Sequence, residues 1–95
     1  MPHTGPIIIV DDDVDDQGII IDIFKDMGLG NELICFTNSC DALTFLRTTD
    51  KKPAFILSDI NMPQKNGLQF KAEIDEDETL RMKSIPFIID KVLKI

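Results

Sequence analysis

Two spacings of hydrophobic positions alternate along this chain. Ile7 to Val10 is a run of β-branched residues after a Gly-Pro break. It is apolar on both faces and too short for a helix, so it reads as a buried parallel strand. Beyond Asp13 the period changes: Ile20, Ile23, Phe24 and Met27 recur at i, i+3, i+4 and i+7. That spacing predicts a helix with one buried stripe, ended by Gly28 and Gly30. Gly18 inside it costs about 1 kcal/mol relative to Ala. Glu32 to Phe36 is a second strand. Ser39 is placed to cap a helix through Thr48, whose apolar positions are Ala42, Leu43, Phe45 and Leu46, and Lys51-Lys52-Pro53 breaks it. Ala54 to Ser58 is a third strand. After the Met62-to-Gly67 loop, Leu68 to about Asp75 has helical spacing through Phe70 and Ile74, and the acidic run Asp75 to Glu78 reads as a solvated helix end. Ile85 to Ile89 is a fourth strand.

The order β-α-β-α-β-α-β predicts an α/β fold, a doubly wound parallel sheet with helices on both faces. Right-handed crossovers put the first helix opposite the next two, provided the second and third strands flank the first. No internal repeat, low-complexity tract or linker divides the chain, so residues 1–95 read as a single small domain.

Two of the strands stop abruptly in carboxylates. Val10 is followed by Asp11-Asp12-Asp13, and Phe55 to Ser58 by Asp59. Ligands of open α/β sheets bind at the carboxyl ends of the strands, so Asp11, Asp12 and Asp59 are expected in one crevice. Acids that close repel one another unless a cation lies among them, and hard oxygen ligands suit Mg²⁺. Asp13 reads as a helix N-cap, with Asp15 and Asp16 as first-turn acids facing the helix dipole.

Charge narrows the partners. The 17 acids against 10 bases give a formal charge of −7, which disfavours nucleic acid and anionic membrane. No apolar run approaches the ~20 residues of a membrane span, and Met1 to Pro6 lacks the basic start of a signal peptide, so a cytoplasmic chain is expected. Two cysteines are too few for a disulfide framework or a four-ligand metal site, and Cys35 reads as a small core residue.

Val10-Asp11-Asp12-Asp13 after one aliphatic strand, Asp59-Ile60-Asn61-Met62-Pro63 after another, and Asn66-Gly67 opening the next helix resemble the receiver domain of two-component response regulators. The resemblance runs over residues 6–89 and implies the flavodoxin-like fold with sheet order 2-1-3-4. It also implies that Asp59 is the phosphoacceptor, and that Asp12, Asp59 and the Asn61 carbonyl bind Mg²⁺ while Asp11 acts through water. The phosphoryl donor is then a sensor histidine kinase or a phosphotransfer protein, and the domain is an acceptor and not an enzyme. The family also carries a hydroxyl residue after the fourth strand, a fifth strand ending in Lys, and closing helices. The hydroxyl position falls at Lys91, residues 90–95 diverge, and the fifth strand and last helices have no counterpart, so impaired phosphorylation is expected. A non-switching remnant serving as an interaction or dimerisation module is the alternative, and the edge Phe87-Ile88-Ile89 leads us to expect a homodimer.

Two other motifs fit less well. Ile7 to Val14 matches the Asp-x-Asp-x-Val pattern of haloacid-dehalogenase-type phosphatases, with Asp11 as nucleophile and Asp13 as general acid, but those enzymes need further motifs in much longer chains. Asp13, Asp15, Gln17, Gly18 and Ile20 fit the early part of an EF-hand loop, yet its bidentate Glu position holds Phe24 and a strand replaces the entering helix.

Overall fold

The computed structural model describes residues 5–62 and 65–90, the last by its backbone. In chain order it forms β1 (Ile7–Val10), α1 (Val14–Asp26), β2 (Leu33–Phe36), α2 (Ser39–Thr48), β3 (Phe55–Asp59), α3 (Gly67–Glu76), α4 (Glu78–Lys83) and β4 (Phe87–Asp90). The sheet is wholly parallel in the order β2-β1-β3-β4, with Ile9 opposite both Cys35 and Leu57. This is the expected doubly wound arrangement. Side chains alternate across a strand, so Ile7 and Ile9 face α1 through Ile20 with Ala54, while Ile8, Val10 and Ile56 face Leu43, Leu46, Phe70, Ile74 and Leu80. β1 is buried on both faces, which is why its sequence is uninterruptedly β-branched. No helix among the described residues is long and apolar enough to cross a membrane.

Several elements differ from the expectation. The buried stripe of α1 is turned from the predicted one: Ile20 is buried and the Phe24 ring meets Phe55 at 6.0 Å, but Ile23 and Met27 are 47% and 61% exposed. Gln17 and Ile21 complete the inner face instead. A polar residue at the stripe's first position hid its true direction from the hydrophobic spacing. α1 ends at Asp26 with Met27 as its C-cap, and Gly28 follows at a φ of +75, the left-handed conformation glycine adopts without strain.

The cap of α2 is Asn38 and not Ser39. Asn38 is extended and its Oδ1 accepts from the Asp41 amide at 2.8 Å, which leaves Ser39 as the first helical residue. Strand limits also move. Glu32 only lends its carbonyl to the Ile7 amide at 2.8 Å, Ala54 precedes β3 and donates to the Pro6 carbonyl at 2.8 Å, and Asp59 lies within β3. β4 starts at Phe87, with Ile85 packing on the core before it.

The acidic run is more than a solvated helix end. Asp77 closes α3 and caps α4, accepting from the Leu80 amide at 3.1 Å, and Leu80 is 1% exposed in the core. α4 is tied to the end of α2: Arg47 Nε meets Asp77 Oδ2 at 2.9 Å, and Lys83 Nζ donates to the carbonyls of Leu46 and Thr49, each at 3.2 Å. Lys83 thus satisfies carbonyls that the end of α2 leaves without intrahelical partners.

Candidate functional site

β1 and β3 are neighbours in register, Val10 opposite Ser58, so the residues that follow emerge side by side. Asp11 and Asp59 are each 3% exposed, and Asp12 is exposed. One ligand oxygen from each of the three lies within 4.8 Å of the others. The acids predicted to share a crevice do share one.

Backbone amides orient the two buried carboxylates. Asp11 Oδ1 accepts from the Asp13 amide at 2.9 Å, and Asp59 Oδ1 from the Asn61 amide at 3.1 Å. Each bond closes a turn two residues past its acid, which aims the side chain back over the end of the sheet. Asn61 is thereby tied to the site, at an exposed position. Met62, just beyond it, is buried in the core and anchors the loop.

Asn66 and Gln69 form a reciprocal capping box that starts α3 beside this loop. Gly67 is the point of closest approach: a Cβ there would stand 2.6 Å from the Asp59 carbonyl oxygen and 3.1 Å from Ile60 Cα. Only a residue without a side chain lets α3 begin so close to the end of β3, and the Gly67 amide uses the room to donate to the Ile60 carbonyl at 3.0 Å.

Asp13 is the N-cap of α1, as expected, accepting from the amides of Asp15 and Asp16 at 2.9 and 3.4 Å. It stands outside the three-acid group, with its Oδ1 engaged by the first amides of α1. Lys91, the hydroxyl position of the resemblance, lies outside the described residues, as do residues 92–95 and Pro63. Gln17 and the steric role of Gly67 were not foreseen. The Asn-Gly pair was a signal for the second; for Gln17 the only signal was a polar residue three positions before Ile20.

Three carboxylates without His or Cys form a set of hard oxygen donors, and that set fits Mg²⁺, which takes one or two carboxylates and keeps waters.

A doubly wound sheet with acids at the ends of its first and third strands defines an open α/β domain of the flavodoxin-like class. Residues 7–89 match the response regulator receiver domain, and the chain belongs to that family. It is 33% identical over 87 residues to the sensor histidine kinase CheAY of Helicobacter pylori, covering 92% of this chain and 10% of that protein. It is 30% identical over 88 residues to the response regulator Rcp1 of Synechocystis, covering 87% of this chain and 58% of that one. The chain therefore spans less than two thirds of these curated relatives. The receiver domain of the sensor histidine kinase PA1611 from Pseudomonas aeruginosa, solved with magnesium in its active-site cleft, superposes with a TM-score of 0.72 at 21% identity over 88% of this chain and 64% of that one.

Proposed function

We propose that this receiver domain is a phosphoacceptor in a two-component phosphorelay, taking a phosphoryl group from a histidine kinase or phosphotransfer protein onto Asp59. The observation that carries the reading is the buried Asp59 carboxylate at the end of β3, grouped with Asp11 and Asp12 within 4.8 Å. A carboxylate oxygen of Asp59 attacks phosphorus in line, the donor's N–P bond breaks, and the imidazole leaves with the electron pair. Asp12, Asp59 and the Asn61 carbonyl would hold Mg²⁺, with Asp11 acting through water; the magnesium in a receiver of the same fold supports this assignment. A bound Mg²⁺ supplies positive charge that offsets repulsion between the acids and the incoming phosphoryl oxygens. The Asn61 amide holds the nucleophile's other oxygen, and the chain acts as acceptor in this exchange, with no turnover of its own, in the cytoplasm.

Intact mass after treatment with acetyl phosphate and Mg²⁺ tests the proposal. One phosphate should add to the wild type and none to Asp59→Asn. An adduct of equal yield in that variant, or one independent of Mg²⁺, would sink the assignment.

A second copy of the chain is a further partner, favoured by β4. Among the described residues this strand ends the sheet order, pairs with β3 along one side, and carries Ile88 at 47% exposure with no Pro or charge between Phe87 and Ile89. Such edges pair readily. Sedimentation equilibrium at micromolar concentration should show a dimer that Ile88→Lys dissociates, whereas a wild-type monomer would exclude it.

A further inference from the structure

Gln17 occupies a core-facing position of α1 yet carries an amide. It is 7% exposed, and the stripe it belongs to is otherwise Ile20, Ile21 and Phe24. Burying an amide is costly unless it is hydrogen-bonded, and an apolar side chain would fill the space as well. What the amide adds is two bonds. Its Nε2 donates to the Asp11 carbonyl at 2.8 Å and to the Phe36 carbonyl at 2.9 Å, using both hydrogens, one on the residue after β1 and one on the last residue of β2.

Those carbonyls sit where strand pairing stops. Val10 and Phe36 are the last paired residues of β1 and β2, and the Asp11 amide donates to the same Phe36 carbonyl at 3.0 Å. Gln17 extends this closure one group further, onto the oxygen of the peptide that joins Asp11 to Asp12. The three acids are held differently. Asp11 and Asp59 are buried and each has a carboxylate oxygen bonded to a nearby amide, whereas Asp12 is exposed. The peptide plane that precedes Asp12 fixes the position of its Cα, the point from which the side chain leaves the backbone.

We infer that Gln17 is a positioning residue of the cation site, fixing the Asp11–Asp12 peptide so that the Asp12 carboxylate stays within reach of Asp59. Outer residues that orient a ligand in this way govern metal affinity without touching the ion. The inference rests on the phosphoacceptor reading of the site, and the experiment separates the two.

Mn²⁺ serves as the probe, titrated by electron paramagnetic resonance against wild type, Gln17→Met, Gln17→Asn, Asp12→Ala and Ile74→Val. All are measured at a temperature where circular dichroism shows each to be folded. Gln17→Met keeps the bulk and removes both donors. Gln17→Asn keeps an amide one methylene too short to serve both carbonyls, and replaces the Met variant if that fails to fold. Ile74→Val perturbs the core on the other face of the sheet. Both Gln17 variants should weaken Mn²⁺ binding about tenfold and shift the Asp12 and Asp13 amide resonances, with Ile74→Val leaving the affinity unchanged. Gln17 variants that bind within about twofold of wild type, while Asp12→Ala binds far more weakly, would overturn the positioning role and leave the site standing. Asp12→Ala binding as wild type does would overturn the site itself, and with it the role of Gln17.

Discussion

Replacing Gly67 with Ala should loosen the fold at the site, and the structure gives the size of the effect. The added Cβ would stand 2.6 Å from the Asp59 carbonyl oxygen, a backbone atom that cannot rotate away. To reach an ordinary contact of 3.4 Å, the first turn of α3 must retreat from β3 by about 0.8 Å. The retreat stretches the 3.0 Å bond from the Gly67 amide to the Ile60 carbonyl and pulls on Phe70, which is fully buried one turn later. Overpacking of this kind costs about 1–3 kcal/mol. Ala is the better helix former by about 1 kcal/mol in a helix interior and by less at a first position, so the net loss is about 1–2 kcal/mol. For a domain of this size that lowers the melting temperature by about 5–10 °C.

Gly18 is the internal control. A Cβ there meets nothing within 4 Å, the residue is exposed, and it lies inside α1, so Gly18→Ala should stabilise by about 1 kcal/mol. Urea unfolding followed by far-ultraviolet circular dichroism reads both variants in a chain with no Trp or Tyr. Opposite signs are expected. Gly67→Ala as stable as wild type, or both variants shifted alike, would refute the steric reasoning.

Leu80→Ala should cost about 2–5 kcal/mol in urea unfolding, because Leu80 is the side chain by which short α4 enters the core; a loss below 1 kcal/mol would show that α4 adds little. Ser84 ends α4 at φ 52, a conformation that strains a side chain, so Ser84→Gly should raise stability by about 0.5–1 kcal/mol, and a lower melting temperature would contradict this. The Leu80 amide, and next the Arg47 side chain, hold the Asp77 carboxyl below its usual pKa. The unfolded state therefore takes up the proton first, so this contribution is fully present above about pH 4 and lost as pH falls through the folded value. Asp77→Asn keeps a capping oxygen but cannot titrate, so its melting temperature should fall less steeply on acidification; parallel curves would exclude Asp77 as the source.

The strands and the acids were legible for one reason. A parallel strand buried on both faces needs an unbroken apolar run, so Ile7–Val10 declares itself. The apolar start of β3, Phe55–Leu57, half-buried on one face, reads almost as clearly, and the acids at the ends of the two strands follow from them. Asn66-Gly67 was legible as a helix start, though only the close approach to Asp59 shows why Gly is needed. α1 was legible as a helix but not in rotation, since Gln17 is polar and buried while Ile23 is apolar and half-exposed. α4 left no period to read: six residues bury Leu80 and leave Met82 in solvent. Its start is hidden because Asp77 looks like its acidic neighbours, and only the bond to the Leu80 amide sets it apart. Asn38 and Ser39 are both good caps, and their order is settled by which oxygen reaches the Asp41 amide.

The same topology explains how a chain of net charge −7 tolerates so many acids at one end of its sheet. In a right-handed crossover each helix begins where a strand stops, so helix N-termini gather at the carboxyl edge. α1 starts with its cap Asp13, two residues past Asp11, and α3 starts at Gly67 in close contact with the backbone of Asp59 and Ile60. Each N-terminus presents partly positive amides, worth about 0.3–1 kcal/mol to a nearby anion. That is a modest offset to repulsion among Asp11, Asp12 and Asp59, and the remainder is what a divalent cation can relieve. The fold thus gathers three acids at one edge of the sheet, where the helix N-termini offset part of their repulsion and a cation could relieve the rest.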